Sequence, residues 1–244
     1  MPVVRTIRQV LGAIAMAAGL MGASTASHAL AVKSVTIQAY KVCDDLGNNC
    51  AQTSFFDDFT TKIWAQADIV LNFLAIQQVN DSNRLNETDF SDLGANADNS
   101  IVNLWFLNDL SDCGGNFGFN SLYGCGTSGG WFAMTKSVFT FSLLGRIDTL
   151  SHELGHVLGL GHSDFGAGGS DNLLTAGGSR NIAQLLSDVN PDGLGLEKLT
   201  AAQITQSRDS RYAFDTNGVP EPGSLALVGL ALVGLTAARR KSAA

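Results

Sequence analysis

One short stretch of this 244-residue chain concentrates residue types that bind metals and move protons. His152 and His156 are four residues apart, and His162 follows after Gly159. Side chains four apart on a helix lie one above the other, so the first two imidazoles can hold one metal ion. Gly159 can end that helix in a left-handed conformation, and the reversed chain then brings His162 back as a third ligand. Three neutral nitrogens suit Zn²⁺ and leave a fourth tetrahedral position for water, as in catalytic zinc sites.

The helix that carries these residues is predicted from hydrophobic spacing. Apolar residues recur at three- and four-residue intervals: Ile147, Leu150, Leu154, Val157 and Leu158. They predict an amphipathic helix whose buried face lies opposite the histidines. The alternative is a set of ordinary polar residues on a solvated helix face. Five prescribed residues at fixed spacing arise by chance in about one chain of this length in ten thousand, which favours the zinc site. Every histidine except His28 also belongs to the pattern.

The run His-Glu-Leu-Gly-His-Val-Leu-Gly-Leu-Gly-His-Ser, ending at Ser163, is similar to the zinc signature of the metzincin metallopeptidases, and in particular to matrixin-type members. The resemblance implies an α+β domain, with a twisted, mostly parallel sheet packed on the active-site helix and a second long helix, followed by a C-terminal helix. It also implies hydrolysis of peptide bonds, with Glu153 as the general base. A tight turn carrying methionine is implied beneath the zinc. The best match is 172–176, where Leu174 can fill much the same volume as methionine.

The N-terminus is predicted to be a targeting segment. Arg5 and Arg8 precede an apolar run, and a small-x-small step ends at Ala29. This order predicts a signal peptide over residues 1–29 that signal peptidase removes, so the mature chain begins near Leu30. An uncleaved anchor is the alternative, but the run is about half the ~20 apolar residues that a membrane span needs.

The C-terminus carries a second targeting pattern. Pro220, Glu221 and Pro222 precede an apolar stretch over 225–238, and a basic cluster follows at 239–241. The order resembles the PEP-CTERM sorting signal. It implies processing by an exosortase-type enzyme and a place in the cell envelope, at the outer surface or in the extracellular matrix of a Gram-negative-type bacterium. Because the apolar stretch is shorter than the ~20 residues of a permanent transmembrane span, segment 219–244 is expected to associate with the membrane transiently.

Residues 30–218 remain as one zinc metallopeptidase domain, a comfortable size for a single core. Five of the 15 basic residues and one of the 22 acidic residues lie in the two ends, which leaves this part with a net charge of −11. No basic block is present to neutralise phosphates, so nucleic acid is excluded as the main ligand. The expected substrate is a protein or a peptide.

All four cysteines lie in the part of the chain expected to be exported, where disulfides persist. Three pairings are formally possible. Pairing by proximity, Cys43 with Cys50 and Cys113 with Cys125, is favoured because each closes a short loop. The spacings do not match a Cys-x2-4-Cys zinc site. Cys43 could mask the metal in a zymogen only if it were unpaired, and no other zymogen device is evident.

Secondary structure is predicted coarsely over the rest of the domain. A helix is predicted over 58–67 and another over 199–212, capped by Thr200. Extended segments are predicted over 69–76, 101–107, 131–135 and 138–143. Residues 80–100 and 108–130 are rich in Asn, Asp and Gly and are predicted to be loops.

Other acidic residues carry weaker signals. Asp188, Asn190 and Asp192 have the spacing that opens an EF-hand loop for Ca²⁺, but Leu199 occupies the closing twelfth position. A turn before the last helix is therefore favoured over a calcium site. Asp164 is a candidate hydrogen-bond acceptor for a ligating imidazole, and solvent exposure is its alternative.

Two functions from different classes follow. The first is an exported zinc endopeptidase. The second is a surface or matrix protein whose zinc-containing domain binds a partner without hydrolysis, since a sorting signal says nothing about catalysis. The intact Glu153 favours the first, because a binding domain has no need of a general base.

Overall fold

The computed structural model describes residues 32–113 and 122–216. The predicted signal peptide at 1–29 and the sorting segment at 219–244 lie outside these residues. Within the described ranges, no helix is both long enough and apolar enough to cross a membrane.

A seven-stranded, mostly parallel sheet forms the centre of the described chain. The strands in the described ranges are β1 (Lys33–Cys43), β2 (Ile69–Phe73), β3 (Gln77–Asn80), β4 (Asn86–Glu87), β5 (Val102–Leu107), β6 (Asp109–Leu110), β7 (Gly124–Thr127), β8 (Trp131–Thr135) and β9 (Phe214–Asp215). The sheet order is β2-β1-β5-β8-β7, and β3 and β9 also pair with β1. Only β7 with β8 and β9 with β1 are antiparallel in this sheet. The strands β4 and β6 form a separate parallel pair.

Five α-helices accompany the sheet in the described part of the chain. They are α1 (Asp57–Ala65), α2 (Ser82–Leu85), α3 (Ser137–Thr140), α4 (Thr149–Val157) and α5 (Ala201–Arg208). Short 3-10 helices lie at Phe90–Asn96, Gly177–Ser179 and Leu186–Asp188. Helix α5 begins after the predicted cap residue Thr200, which exchanges hydrogen bonds with Gln203 in a capping box, and it ends at Arg208, before the predicted end at residue 212. The α+β class and the mostly parallel sheet are confirmed.

The core lies between the sheet and helices α1 and α4. Every residue of the central strand β5 is buried, as expected for a parallel strand covered on both faces. Ile63 and Trp64 of α1 and Leu150 and Leu154 of α4 are fully buried. Helix α4 packs on β7, β8 and α1, so the histidine-bearing helix is held against one edge of the sheet.

Besides the short strands β3, β4, β6 and β9, two longer or site-forming strands, β1 and β7, were missing from the sequence prediction. Strand β1, next to β5, has buried Val35, Ile37 and Ala39 at alternate positions, a period-2 signal that the sequence carries. The edge strand β7 falls within the predicted loop 108–130. It contains Gly124 and Gly126, which lower strand propensity and hide the element.

Two local predictions were wrong. Residues 138–143 were predicted to be extended, but helix α3 and a bend occupy them. The predicted loop 80–100 contains α2, β4 and a 3-10 helix. Asp81 and Asp89 explain this ordering, because their side chains accept hydrogen bonds from the first backbone N–H groups of α2 and of the 3-10 helix.

The predicted disulfides are confirmed. Cys43 is bonded to Cys50, and Cys113 is bonded to Cys125. Since all four cysteines lie in the described ranges and none is free, Cys43 is not available to mask a metal ion.

Candidate metal centre

Helix α4 holds His152 and His156 on a buried element. Leu160 N–H donates to Gly155 O at 3.0 Å, and Gly159 N–H donates to His156 O at 3.1 Å. These are the two hydrogen bonds of a Schellman C-cap. Gly159 has a φ of 91°, a left-handed value that glycine adopts without strain. The cap reverses the chain as predicted. The face of the helix that carries the histidines was expected to lie opposite the buried face. It is more buried than that, since His152 and Glu153 are only 6% and 7% exposed.

The three histidines converge on one point. The Nε2 atoms of His152 and His162 are 3.2 Å apart, and those of His156 and His162 are also 3.2 Å apart. Two nitrogens bound tetrahedrally to zinc at 2.0–2.1 Å lie about 3.3–3.4 Å apart, so these two spacings suit that ion. The ligand atoms of all three histidines lie within 4.8 Å of one another. Among the described residues, this is the one group of three or more His, Cys, Asp or Glu side chains that is close enough to hold a metal.

Backbone carbonyls orient two of the imidazoles. The Nδ1 atom of His152 is 2.6 Å from Leu173 O, and the Nδ1 atom of His156 is 2.7 Å from Leu160 O. Only a protonated Nδ1 can donate to a carbonyl, so both neutral rings keep a bare lone pair on Nε2. This is the tautomer that a metal ligand needs. The acceptors are therefore main-chain oxygens rather than the Asp164 carboxylate considered from the sequence.

Burial keeps the histidines neutral. It lowers the pKa of His156 to about 4 and the pKa of His162 below its usual value. Burial and the adjacent charge of Arg180 hold the pKa of His152 well below that of a free histidine. Neutral imidazole is the metal-binding form, so all three shifts leave the ring nitrogens free of the extra proton that would compete with a metal ion.

Glu153 lies under the edge strand β7. A Cβ placed on Gly124 would be 2.8 Å from the Cγ of Glu153, which shows how closely this strand covers the side chain. Burial raises the pKa of Glu153 to about 8, and the charges of Arg180 and Arg146 act in the opposite direction. A buried carboxyl with a raised pKa beside a histidine cluster is typical of a functional site.

The turn at 172–176 lies where the sequence placed it. The Leu174 N–H donates to the Asn172 side chain at 2.9 Å, and Leu174 is fully buried. A Cβ placed on Gly155 would be 3.0 Å from a methyl carbon of Leu174. Gly155 separates the two helix histidines, so Leu174 packs directly beneath them.

A buried charge network behind the site was not foreseen from the sequence. The Arg180 guanidinium contacts the Asp148 carboxylate and lies 3.7 Å from Glu197, and all three side chains are at most 1% exposed. Arg146 approaches the other oxygen of Asp148 at 3.6 Å. The network joins segments far apart in sequence, and no local spacing signals it.

The loop with EF-hand-like spacing forms a turn, and calcium finds no support there. Asp188 accepts from Leu185 N–H at 2.9 Å, and Asp192 pairs with Lys62 at 2.8 Å. The side-chain amide of Asn190 donates to Gln66 at 2.8 Å. The three side chains that would bind a cation are each bonded to other parts of the protein.

The comparison with known families identifies the C-terminus. Residues 218–241 match the PEP-CTERM protein-sorting motif, which confirms the resemblance drawn from the sequence. This motif implies export and sorting to the cell surface in Gram-negative bacteria. No curated protein sequence matches the chain.

Several solved structures are similar to the chain at low identity. Archaemetzincin from Archaeoglobus fulgidus, complexed with malonate, has 14% identity and a TM-score of 0.41, covering 71% of this chain and 99% of that one. Mirolysin in complex with an organic compound has 15% identity and a TM-score of 0.44, covering 73% and 91%. A zinc-dependent peptidase from Methanocorpusculum labreanum has 12% identity and a TM-score of 0.41, covering 70% and 99%.

Proposed function

We propose that the chain is an exported zinc-dependent endopeptidase whose catalytic domain spans residues 30–218. His152, His156 and His162 are its zinc ligands, and Glu153 is its general base. The observation that supports this most strongly is the convergence of three Nε2 atoms beside a buried carboxyl group. The expected location is the outer surface or the extracellular matrix.

The donor set suits a catalytic zinc ion. When bound, zinc would supply Lewis acidity and a water of lowered pKa. Three protein nitrogens leave a fourth position free, which distinguishes this set from a closed structural site. The carbonyls of Leu173 and Leu160 hold the first two rings in the ligating tautomer.

Glu153 moves the proton in the proposed reaction. Its carboxylate takes a proton from the attacking water and passes it to the leaving amine, so one group serves both steps. The base must be ionised, and the pKa of about 8 describes the protein without a metal ion. A positive charge nearby favours the carboxylate form and lowers that pKa toward the working range.

The edge strand supports a peptide substrate. Among the described strands, β7 lies at the end of the sheet order and pairs only with β8. An edge strand offers unpaired N–H and C=O groups to which an extended peptide can bond. Since β7 lies directly over Glu153, a peptide added there would pass close to the histidines.

The test uses the full chain exported to an oxidising compartment, its Glu153→Gln variant and an Asp164→Asn control. Zinc content, casein cleavage and cleavage of a broad peptide library are measured for each. Wild type and Asp164→Asn are expected to bind zinc and cut, and chelation is expected to stop the cutting. Glu153→Gln is expected to keep zinc and lose about 10²-fold or more of the turnover. A folded, zinc-loaded wild type that cuts neither substrate would instead favour the binding-protein function.

A further inference from the structure

Arg180 occupies an unusual place for a charged residue. It follows the turn beneath the histidines, and its side chain is 1% exposed. One guanidinium nitrogen, Nη1, donates to Leu173 O at 2.7 Å and to Thr175 O at 2.6 Å. These two carbonyls flank Leu174, so Arg180 fixes the backbone on both sides of the residue that packs beneath the site.

The same guanidinium is held by two carboxylates from other segments. Its second terminal nitrogen contacts Asp148, which directly precedes helix α4. Its Nε lies 3.7 Å from Glu197, and Glu197 accepts a hydrogen bond from Ala183 N–H at 3.1 Å. A buried arginine is tolerated when its charge is paired, and two acidic side chains lie close to Arg180. Both terminal nitrogens of Arg180 donate hydrogen bonds, whereas its Nε has no hydrogen-bond partner among the described residues. The Arg180 guanidinium therefore contacts the start of helix α4, the turn at 172–176 and the segment that contains Glu197.

Arg180 also reaches a metal-ligand candidate through a shared carbonyl. Leu173 O accepts from His152 Nδ1 at 2.6 Å and from Arg180 Nη1 at 2.7 Å, and the two nitrogens are themselves 2.6 Å apart. In the tautomer that a metal ligand needs, Nδ1 of His152 is protonated, so both nitrogens donate to this carbonyl. The carbonyl is therefore the link between them, and its position determines the orientation of the imidazole.

We propose that Arg180 is a positioning residue for the metal centre: by fixing the carbonyls of Leu173 and Thr175, it sets the orientation in which His152 presents Nε2. The role rests on the proposed metal site, but it does not depend on peptide hydrolysis. Lysine in its place would keep the positive charge and lose the planar fork that bonds two carbonyls and a carboxylate together.

Arg208→Lys is a matched control for Arg180→Lys. Arg208 is 8% exposed, donates to Ala67 O at 2.7 Å and lies 3.8 Å from the Asp68 carboxylate. It therefore shares burial, a carbonyl acceptor and an acidic neighbour with Arg180, but it lies on α5 and contacts none of the three histidines. Each variant is made in the full chain with its disulfides formed. Thermal unfolding of the metal-free protein, zinc affinity by chelator competition and the visible absorption of Co²⁺-loaded protein are then measured.

Arg180→Lys is expected to weaken zinc affinity by about 10-fold or more and to change the Co²⁺ spectrum, because the ligand ring is no longer fixed. Arg208→Lys is expected to keep the wild-type affinity and spectrum, whatever stability it loses. Wild-type affinity and spectrum in Arg180→Lys would overturn the proposal, even if that variant were less stable. A purely structural role predicts that outcome.

A second variant covers the case in which Arg180→Lys does not fold. Arg180→Met with Asp148→Asn removes both partners of the closest buried ion pair and leaves no unpaired aspartate, and Glu197 keeps its hydrogen bond from Ala183 N–H. Its folded form is expected to show the same loss of zinc affinity, and wild-type affinity would overturn the proposal. A wild type that binds no zinc would overturn the metal site as well as the role of Arg180. A wild type that binds zinc without cutting peptides would overturn only the peptidase.

Discussion

Gly126 of the edge strand packs directly on the backbone of Glu153: a Cβ placed on Gly126 would lie 2.4 Å from the Glu153 carbonyl oxygen. No side chain fits at that distance from a main-chain atom. The close approach of β7 to helix α4 therefore depends on glycine at this position, and it sets the height of the strand over the proposed catalytic residue.

Gly126→Ala is accordingly expected to destabilise the protein by about 1–3 kcal/mol, because the strand must move away from the helix. Gly178→Ala is the control, since a Cβ at Gly178 meets nothing within 4 Å. Urea unfolding of both variants measures the difference. Equal stabilities would show that β7 adjusts freely and that the packing is not tight.

His156→Ala is expected to abolish stoichiometric zinc binding, because it removes one of three converging nitrogens. Zinc content after dialysis, measured by atomic spectroscopy, should fall from about one ion per chain toward zero. Asp164→Asn changes an exposed residue near the site and should retain the metal. Full zinc occupancy in His156→Ala would place the ion elsewhere.

The metal-free protein is expected to lose stability in acid through His156. Its folded pKa of about 4 is lower than the usual 6.5, so between these values the unfolded chain binds the extra proton. The free energy of unfolding should therefore decrease as the pH falls from 6.5 toward 4, by at most about 1.4 kcal/mol per pH unit from this group.

The measurement is urea unfolding of metal-free wild type and His156→Gln between about pH 7 and pH 4.5. Glu153 contributes in the opposite sense, because its raised pKa stabilises the fold at low pH and that contribution is lost as the pH rises toward 8. Comparing the two proteins at each pH cancels this effect. The free energy of unfolding should fall less steeply with decreasing pH in His156→Gln than in wild type. Equal slopes in the two proteins would exclude His156 as the source of the acid destabilisation.

Leu174→Met is expected to be tolerated within about 1.5 kcal/mol and to retain zinc, since methionine has a similar volume and more flexibility. Leu174→Ala should cost about 2–5 kcal/mol, because it opens a cavity against Gly155. Thermal unfolding and zinc content of the two variants test this. A large loss in the methionine variant would show that the pocket requires the shape of leucine.

The part of the site that is local in sequence could be predicted, and the part built by distant contacts could not. The spacing of His152, His156 and His162, and the glycine that ends their helix, depend only on helix geometry. The orienting carbonyls of Leu173 and Leu160 belong to the main chain, and any residue type supplies such an oxygen.

The fold follows the same division. Helix α1 and strand β8 carry clear local periodicity and were predicted nearly to their ends. Strand β7 was missed because it contains glycines, which have low strand propensity. Helix α4 packs so closely on β7 that only glycine fits at these positions, and this long-range contact overrides strand propensity. Arg180 and Asp148 are 32 residues apart in the sequence, and no residue pattern near either of them predicts their contact.

The bond between Cys113 and Cys125 has a consequence for the timing of activity. Cys125 lies in β7, the strand that covers Glu153. Disulfides form after a chain leaves the reducing cytoplasm. The rim of the proposed catalytic cleft is therefore cross-linked outside the cytoplasm. A chain still in the cytoplasm would lack this bond, so the strand over Glu153 would be tied to Cys113 only after export.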